Sequence, residues 1–222
     1  MPLILNKLDA SPPARACLML LEILGLDVDL RDVHLWSGAH RTPEYLTKNL
    51  THTVPLLEDG EFYLSDSHAI NTYLVTKYGG VLKDQLYPDD AQKRAAVDSR
   101  LFLDASSVFV RFQTAMRDVV YNGATGISDE HVNAFDEAYG YLDAYLQRGA
   151  YLAGDQLTLA DVSAVATVAA MSGLVPVDAK HNRLNEWFAK LTKNEWYQKS
   201  APGNAQLISF IQQMIKRNSR TP

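Results

Sequence analysis

A single cysteine, Cys17, stands among the 222 residues, so no internal disulfide can form. Cysteine usage of this kind belongs to a reducing compartment. The opening Met1-Pro2-Leu3-Ile4-Leu5 lacks the charged region and long apolar run of a signal peptide, and the expectation is a cytosolic protein. On that expectation the sequon Asn49-Leu50-Thr51 is a chance match. There is no excess of basic charge: 21 Lys and Arg against 26 Asp and Glu leave a net charge of -5. Such a balance offers no global attraction to nucleic acid or to an anionic bilayer. Long hydrophobic runs are also missing. The longest uncharged stretch, residues 162–177, is too short and too rich in Ser, Ala and Thr to cross a bilayer, and an all-apolar helix of that length reads instead as a buried central one. The six histidines include no pair at metal-ligand spacing, and no metal is expected. Neither G-x-G-x-x-G, a Walker A loop, a G-x-S-x-G elbow nor a C-x-x-C pair occurs. No internal repeat or low-complexity segment is present.

What remains is a chain with 47% apolar residues, enough for a substantial core. Its first part alternates short strand-like and helix-like segments. Leu3-Ile4-Leu5 reads as a strand, and Pro12 and Pro13 open a Leu- and Ala-rich helix that stops near Gly25. Val28 and Leu30 alternate with charged residues in a second strand, and Thr42-Pro43-Glu44 starts a short helix. Residues 53–57 and 61–64 read as two strands joined at Asp59-Gly60, a pair suited to a tight hairpin turn. Ser65-Asp66-Ser67 then caps a helix carrying Ile70, Tyr73, Leu74 and Tyr78 at helical spacing. Gly79-Gly80 and Tyr87-Pro88 bracket a break in the pattern, placing a linker at 80–88. Everything after it reads as helix: one from Asp89-Asp90 to about residue 120, one capped by Ser128, and others from about Thr158, Asn182 and Asn204. The expected architecture is a small α/β domain followed by an all-α domain.

Four stretches carry a resemblance that spans essentially the whole chain: Ser11-Pro12-Pro13-Ala14-Arg15, His52-Thr53-Val54-Pro55-Leu56-Leu57, Asp66-Ser67-His68-Ala69-Ile70, and Leu157-Thr158-Leu159-Ala160-Asp161. In this order and spacing they resemble cytosolic glutathione transferases, with the insect epsilon class nearest and the delta class next. The resemblance implies a thioredoxin-like glutathione-binding domain at 1–79, the linker at 80–88, and an all-helical domain at 89–222 that supplies most of an electrophile pocket. It also implies glutathione as co-substrate and a homodimer. Other classes place a thiol-activating tyrosine in the first strand, where this chain has Asn6, so the site is expected to be of the serine type.

Such chemistry needs glutathione as its thiolate. A free thiol has a pKa of about 8.5, so half ionisation near neutral pH requires a shift of roughly 1.5 units, or about 2 kcal/mol. A hydrogen bond to a charged acceptor contributes about 1.5 to 3 kcal/mol and a helix N-terminus about 0.3 to 1 kcal/mol. Ser11, directly before a helix opened by Pro12-Pro13, can supply both as a donor to sulfur, not as a nucleophile. A serine in that position is equally an ordinary N-cap.

Further roles follow from the resemblance. Val54-Pro55 corresponds to a cis-proline that leaves the Val54 backbone free to pair with the cysteinyl part of glutathione, as an added strand would; a trans proline opening a strand reads the same in sequence. Asp66 and Ser67 suit the amino and carboxylate groups of the γ-glutamyl end, although the family usually has glutamate at the first position, and a plain capping pair would look identical. His40 and His52 fall where the glycyl carboxylate is held, and His68 follows Ser67, where it can touch glutathione or serve the structure. Arg111, on the long helix, can attract glutathione or form an interdomain or intersubunit salt bridge. Leu8, Pro12 and Leu35 near the Ser11 loop, with Phe109, Phe112, Met116 and Val119 at helical spacing, can line the electrophile pocket or pack as core. Thr158 and Asp161 form a capping box whose role is folding. Cys17, among leucines inside the first helix, reads as a buried inert thiol.

The implied reaction is conjugation of the thiolate to hydrophobic electrophiles in detoxification, with hydroperoxide reduction as a further activity. The competing reading is a specialised or non-catalytic binder of glutathione and an apolar endogenous ligand such as a sterol.

Overall fold

The computed structural model describes residues 2–220. Its first domain is thioredoxin-like: β1 (Leu3–Lys7), α1 (Pro12–Leu24), β2 (Asp29–Asp32), α2 (Pro43–Lys48), β3 (Leu56–Asp59), β4 (Phe62–Ser65) and α3 (Ser67–Tyr78). The strands form a mixed sheet in the order β2-β1-β3-β4, with β1 parallel to β2 and antiparallel to β3. Local chemistry sets the boundaries. Pro12 and Pro13 occupy the first turn of α1, where a missing N–H costs nothing, and Gly25 closes it in the left-handed region at φ 63°. The β3–β4 turn passes through Gly60 at φ 65°. Successive residues Leu56 and Leu57 point to opposite faces, as strand geometry requires: Leu57 joins the main core with α1 and α3, and Leu56 packs with Tyr45 of α2.

Three boundaries in this domain and the segment after it differ from the sequence reading. Pairing in β3 begins at Leu56 instead of residue 53, because Pro55 has no N–H to give a ladder. The hairpin's second strand is shifted by one residue, to Phe62–Ser65. The segment between the domains is not irregular: it holds a 3-10 turn (Gly80–Leu82) and the one-turn α4 (Lys83–Leu86).

The second domain is helical. α5 (Ala91–Leu103) and α6 (Phe109–Tyr121) form one continuous rod interrupted by a π-helical turn at Asp104–Val108. Then come α7 (Asp129–Leu146), α8 (Leu159–Ser172), α9 (Asn182–Leu191) and α10 (Glu195–Asn218). In α8 every residue from Leu159 to Met171 is buried, as its uniform apolarity demands. The carboxylate of Asp161, itself fully buried, accepts from the N–H groups of Leu152 and Thr158 at 2.9 Å each and from the indole of Trp187 at 2.9 Å. Burial pushes its pKa up against these hydrogen bonds. The last helix begins nine residues earlier than Asn204, at Glu195, and runs through Pro202. Its path is explained by Gly203, where a Cβ would lie 2.1 Å from the carbonyl oxygen of Asp9. The helix backbone therefore rests directly on the loop that precedes α1.

The two domains share one core through α1, which packs on α3 within its own domain and on α8 and α10 of the other. Arg15 of α1 is fully buried; its Nε donates to the Ser200 carbonyl at 3.1 Å and its Nη1 to Asn204 Oδ1 at 2.8 Å, both on α10. Asn204 in turn donates to the Ala169 carbonyl of α8.

This contact makes a prediction. Gly203→Ala should lose about 1–3 kcal/mol in urea unfolding through overpacking against Asp9. Gly126→Ala, at a glycine with open space around it, should change stability by less than about 0.5 kcal/mol. Equal effects of the two would show that the α10 contact is not close.

Candidate active site

Sheet register brings four chain segments to one edge. Asn6 near the end of β1 lies opposite Leu56 at the start of β3, and Leu56 lies opposite Ser65 at the end of β4. Lys7 lies beside Asp32 at the end of β2. The loop leading to Ser11, the Val54-Pro55 pair, the Asp66-Ser67 pair and the 35–41 segment therefore all leave the sheet at the same end.

Ser11 is the N-cap of α1, with extended backbone at φ -82° and ψ 119°. Its oxygen accepts from the Ala14 N–H at 3.4 Å, a long contact that leaves the hydroxyl proton free. The cap contact is therefore formed, and the hydroxyl proton is not used by it. Asn6 does not face this edge as an activator would; its amide donates to Glu58 at 2.8 Å, and Glu58 also accepts from Lys48 at 2.8 Å.

The Val54–Pro55 peptide is cis. Among the described residues no hydrogen bond engages the Val54 backbone. The preceding loop is held by Tyr45, whose hydroxyl donates to the Thr53 carbonyl at 2.6 Å, and by the buried Asn49, which donates to the same oxygen at 2.8 Å. Asn49 is thus a structural residue, in keeping with the chance reading of its sequon. His52 stands at φ 45°, with its ring centroid 6.1 Å from that of His40. Burial, aided by Arg41 and His52, lowers the pKa of His40. Arg41 Nε donates to His40 Nε2 at 3.2 Å, which assigns the ring proton to Nδ1, an atom with no partner in the protein.

At the other side of this edge Asp66 stands at φ 73° and caps α3, accepting from the N–H groups of His68 and Ala69 at 2.9 and 3.1 Å. A hydrogen bond with His68 pulls its pKa down against partial burial. The Ser67 N–H and hydroxyl have no hydrogen-bond partner among the described residues. His68 turns away from this edge: its Nε2 lies 2.9 Å from Asp104 in the π-helical turn and its Nδ1 3.6 Å from Asp66. Burial alone would lower its pKa, but Asp104 and Asp66 outweigh that and raise it to about 9. His68 is a link between the domains, one residue from the free Ser67 groups.

Beside Ser11 a cleft of about 590 Å³ opens between the domains. It is lined by Leu8, Pro12, Leu35, Phe109, Phe112 and Met116, as the sequence pattern anticipated, with His40 and Arg41 also on its wall. No carboxylate of the described residues lines it. One expected member of the lining, and one residue expected at glutathione, are elsewhere. Val119 is fully buried in the core, and its neighbour Val120 faces the cleft. Arg111 points to α7, where it pairs with Glu137 and donates to the Ser107 carbonyl at 2.8 Å. The salt bridge it forms lies inside the helical domain, between α6 and α7, and not between domains. Trp36, Gln113, Tyr121, Gln206, Leu207 and Phe210 were not anticipated and line the cleft as well. The apolar spacing of Leu207 and Phe210 on α10 was the available signal. Cys17 is fully buried and burial raises its pKa well above the thiol range, so it is inert as expected. No group able to hold a metal ion occurs among the described residues, and no described helix is long and apolar enough to cross a membrane.

With this geometry in hand, the chain belongs to the glutathione S-transferase family. A model described as the glutathione S-transferase N-terminal domain matches residues 5–81, and one described as the C-terminal domain matches residues 125–190. The chain is 39% identical over 208 residues to glutathione S-transferase 1 of Manduca sexta, covering 92% of this chain and 94% of that one. Its fold is similar to an epsilon-class glutathione S-transferase of the housefly, Musca domestica, at a TM-score of 0.92 and 36% identity, over 96% of this chain and 98% of that one. It is also similar to a glutathione transferase homologue of Drosophila mojavensis with bound glutathione, at a TM-score of 0.91 and 38% identity, over 96% and 97% of the two chains.

The raised pKa of His68 predicts a pH dependence. Protonated His68 contributes stability in full below about pH 6.5, and that contribution is lost as pH rises through about 9. It amounts to at most about 3 kcal/mol. Urea unfolding of the wild type should therefore weaken between pH 6.5 and 9.5 more than that of His68→Gln; parallel curves would remove the ion pair from the account.

Proposed function

We propose that this chain, a transferase by family, conjugates glutathione to hydrophobic electrophiles, with the Ser11 hydroxyl donating to the glutathione sulfur. The observation that carries the reading is the convergence of Ser11, Val54 and Ser67 at one sheet edge, each with a hydrogen-bonding group unused by the protein. Glutathione extends along that edge. Its cysteinyl backbone pairs with Val54 beside Pro55, its γ-glutamyl carboxylate takes the Ser67 N–H and hydroxyl, and its amino group takes the free oxygen of Asp66. Its glycyl carboxylate lies toward His40 and His52, which can donate while neutral. His68 acts on this end through Asp66 instead of touching the tripeptide. Arg111, engaged by Glu137, has no part in it.

The sulfur then sits at the N-terminus of α1, beside the cleft. The hydroxyl proton of Ser11 and the helix N-terminus favour the thiolate, and the cleft holds the electrophile against it. Catalysis is thiolate stabilisation plus proximity, and no metal takes part. The lining accepts an uncharged apolar partner, since no fixed charge meets one beyond Arg41. The biological role is detoxification in the cytosol, with hydroperoxides among the electrophiles, and the protein works as a homodimer with residues 1–79 as glutathione domain, 80–88 as linker and 89–222 as helical domain.

Steady-state kinetics with a chlorinated dinitrobenzene test the role of Ser11. In Ser11→Ala, kcat should fall at least about tenfold, or ~1.4 kcal/mol of transition-state stabilisation, while glutathione affinity changes by less than about threefold. A mutant as active as the wild type would reduce Ser11 to a helix cap.

A further inference from the structure

Trp36 and Phe210 come from different domains and meet at the cleft. Trp36 sits on the 3-10 turn Leu35–Ser37, and Phe210 on α10. Their ring centroids are 4.9 Å apart with planes tilted by 43°. Rings this close leave no slot for a third ring between them. Yet Trp36 is 70% exposed, and its indole makes no hydrogen bond among the described residues. Its turn is held by short-range bonds alone: Ser37 and Gly38 N–H to the His34 and Leu35 carbonyls, and the Ser37 hydroxyl to His34. His34 gives the turn no side-chain cap. The Phe210 ring is therefore the aromatic contact that ties Trp36 to the helical domain, and swinging the indole aside exposes little that is not already in water.

We infer that Trp36 and Phe210 are the specificity-determining pair of the cleft, parting to admit a flat ring that stacks on the indole and discriminating against non-planar guests of the same size. This rests on the reading of the cleft as the electrophile site. A planar guest replaces the lost Phe210 contact with a stack of similar strength. A puckered, saturated guest holds the two rings apart and restores neither contact. The electron-rich indole face also favours rings depleted of electrons, such as nitroaromatics. Phe109, Phe112 and Met116 supply apolar depth without a planar slot of their own, since the rings of Phe109 and Phe112 stand 6.2 Å apart and tilted. Shape selection therefore falls to the mouth of the cleft.

Nitrobenzene and nitrocyclohexane form a matched pair, equal in heavy atoms and differing in planarity. Their binding to the full chain, with glutathione present, can be measured by calorimetry without turnover. The wild type should prefer nitrobenzene. Trp36→Ala should weaken nitrobenzene about tenfold and nitrocyclohexane by less than about twofold, Trp36→Phe should keep most of the preference, and Phe210→Ala, which removes the ring that must part, should weaken neither ligand. Circular dichroism and glutathione affinity check that each variant is folded. In Trp36→Ala, equal loss of both ligands or loss of neither overturns the proposal, as does nitrobenzene weakened by Phe210→Ala. Because this readout needs no reaction, its failure is distinct from an absence of conjugation by the wild type, which would instead sink the transferase reading.

Discussion

The buried guanidinium of Arg15 is the interaction on which the arrangement depends. It carries its charge out of water with no carboxylate within salt-bridge distance among the described residues, and burial lowers its pKa. What compensates is a set of hydrogen bonds to α10, through the Ser200 carbonyl and Asn204, with the Tyr197 ring 5.9 Å from the guanidinium carbon. Its Nη2 is already buried without a partner, so losing the Nε and Nη1 bonds as well would cost several kcal/mol, and α1 and α10 have little freedom to separate. Four residues before Arg15 on the same chain is Ser11. The position of the hydroxyl at the site is thus set by packing in the other domain, and Gly203 seated on Asp9 closes the arrangement from the other side of the loop.

A second constraint is sheet register. Because β1 is antiparallel to β3 and β3 to β4, the end of one strand meets the start of the next. The backbone N–H of Ser67, the Val54 backbone and the Ser11 hydroxyl are brought together by ladder geometry, not by contacts among themselves. The domain interface supplies the rest. The π-helical turn aims Asp104 at His68, and α6 beyond it aims Phe109, Phe112 and Met116 into the cleft.

Features legible in the sequence were those with a local cause. Prolines at helix starts, Gly25 and Gly60 at left-handed positions, Asp66 and Ser128 as caps, and the uniform apolarity of α8 each announce themselves within a few residues. What stayed hidden depends on distant partners. Pro202 reads as a helix breaker, yet α10 runs through it, and the next residue, Gly203, rests against Asp9 of the other domain, a partner distant in sequence. Val119 follows Phe109, Phe112 and Met116 at roughly helical spacing, and only the packing of α6 on the core decides that it turns inward while Val120 faces the cleft; Arg111 likewise turns to Glu137 on α7. Trp36 was overlooked because its partner, Phe210, lies in the last helix; an exposed tryptophan in a short turn carries no signal of that contact by itself. The candidate glutathione residues were legible through motifs whose order and spacing match a family, while their orientation, as with His68 turned to Asp104, belongs to the folded chain.

The central claim is that the site holds glutathione as a thiolate. Ultraviolet difference spectroscopy of the wild-type complex across pH measures this directly, by the absorbance of the ionised sulfur. The account predicts that bound glutathione ionises roughly 1.5 units below the pKa of about 8.5 of a free thiol. Ionisation of the bound thiol at the free value would contradict it.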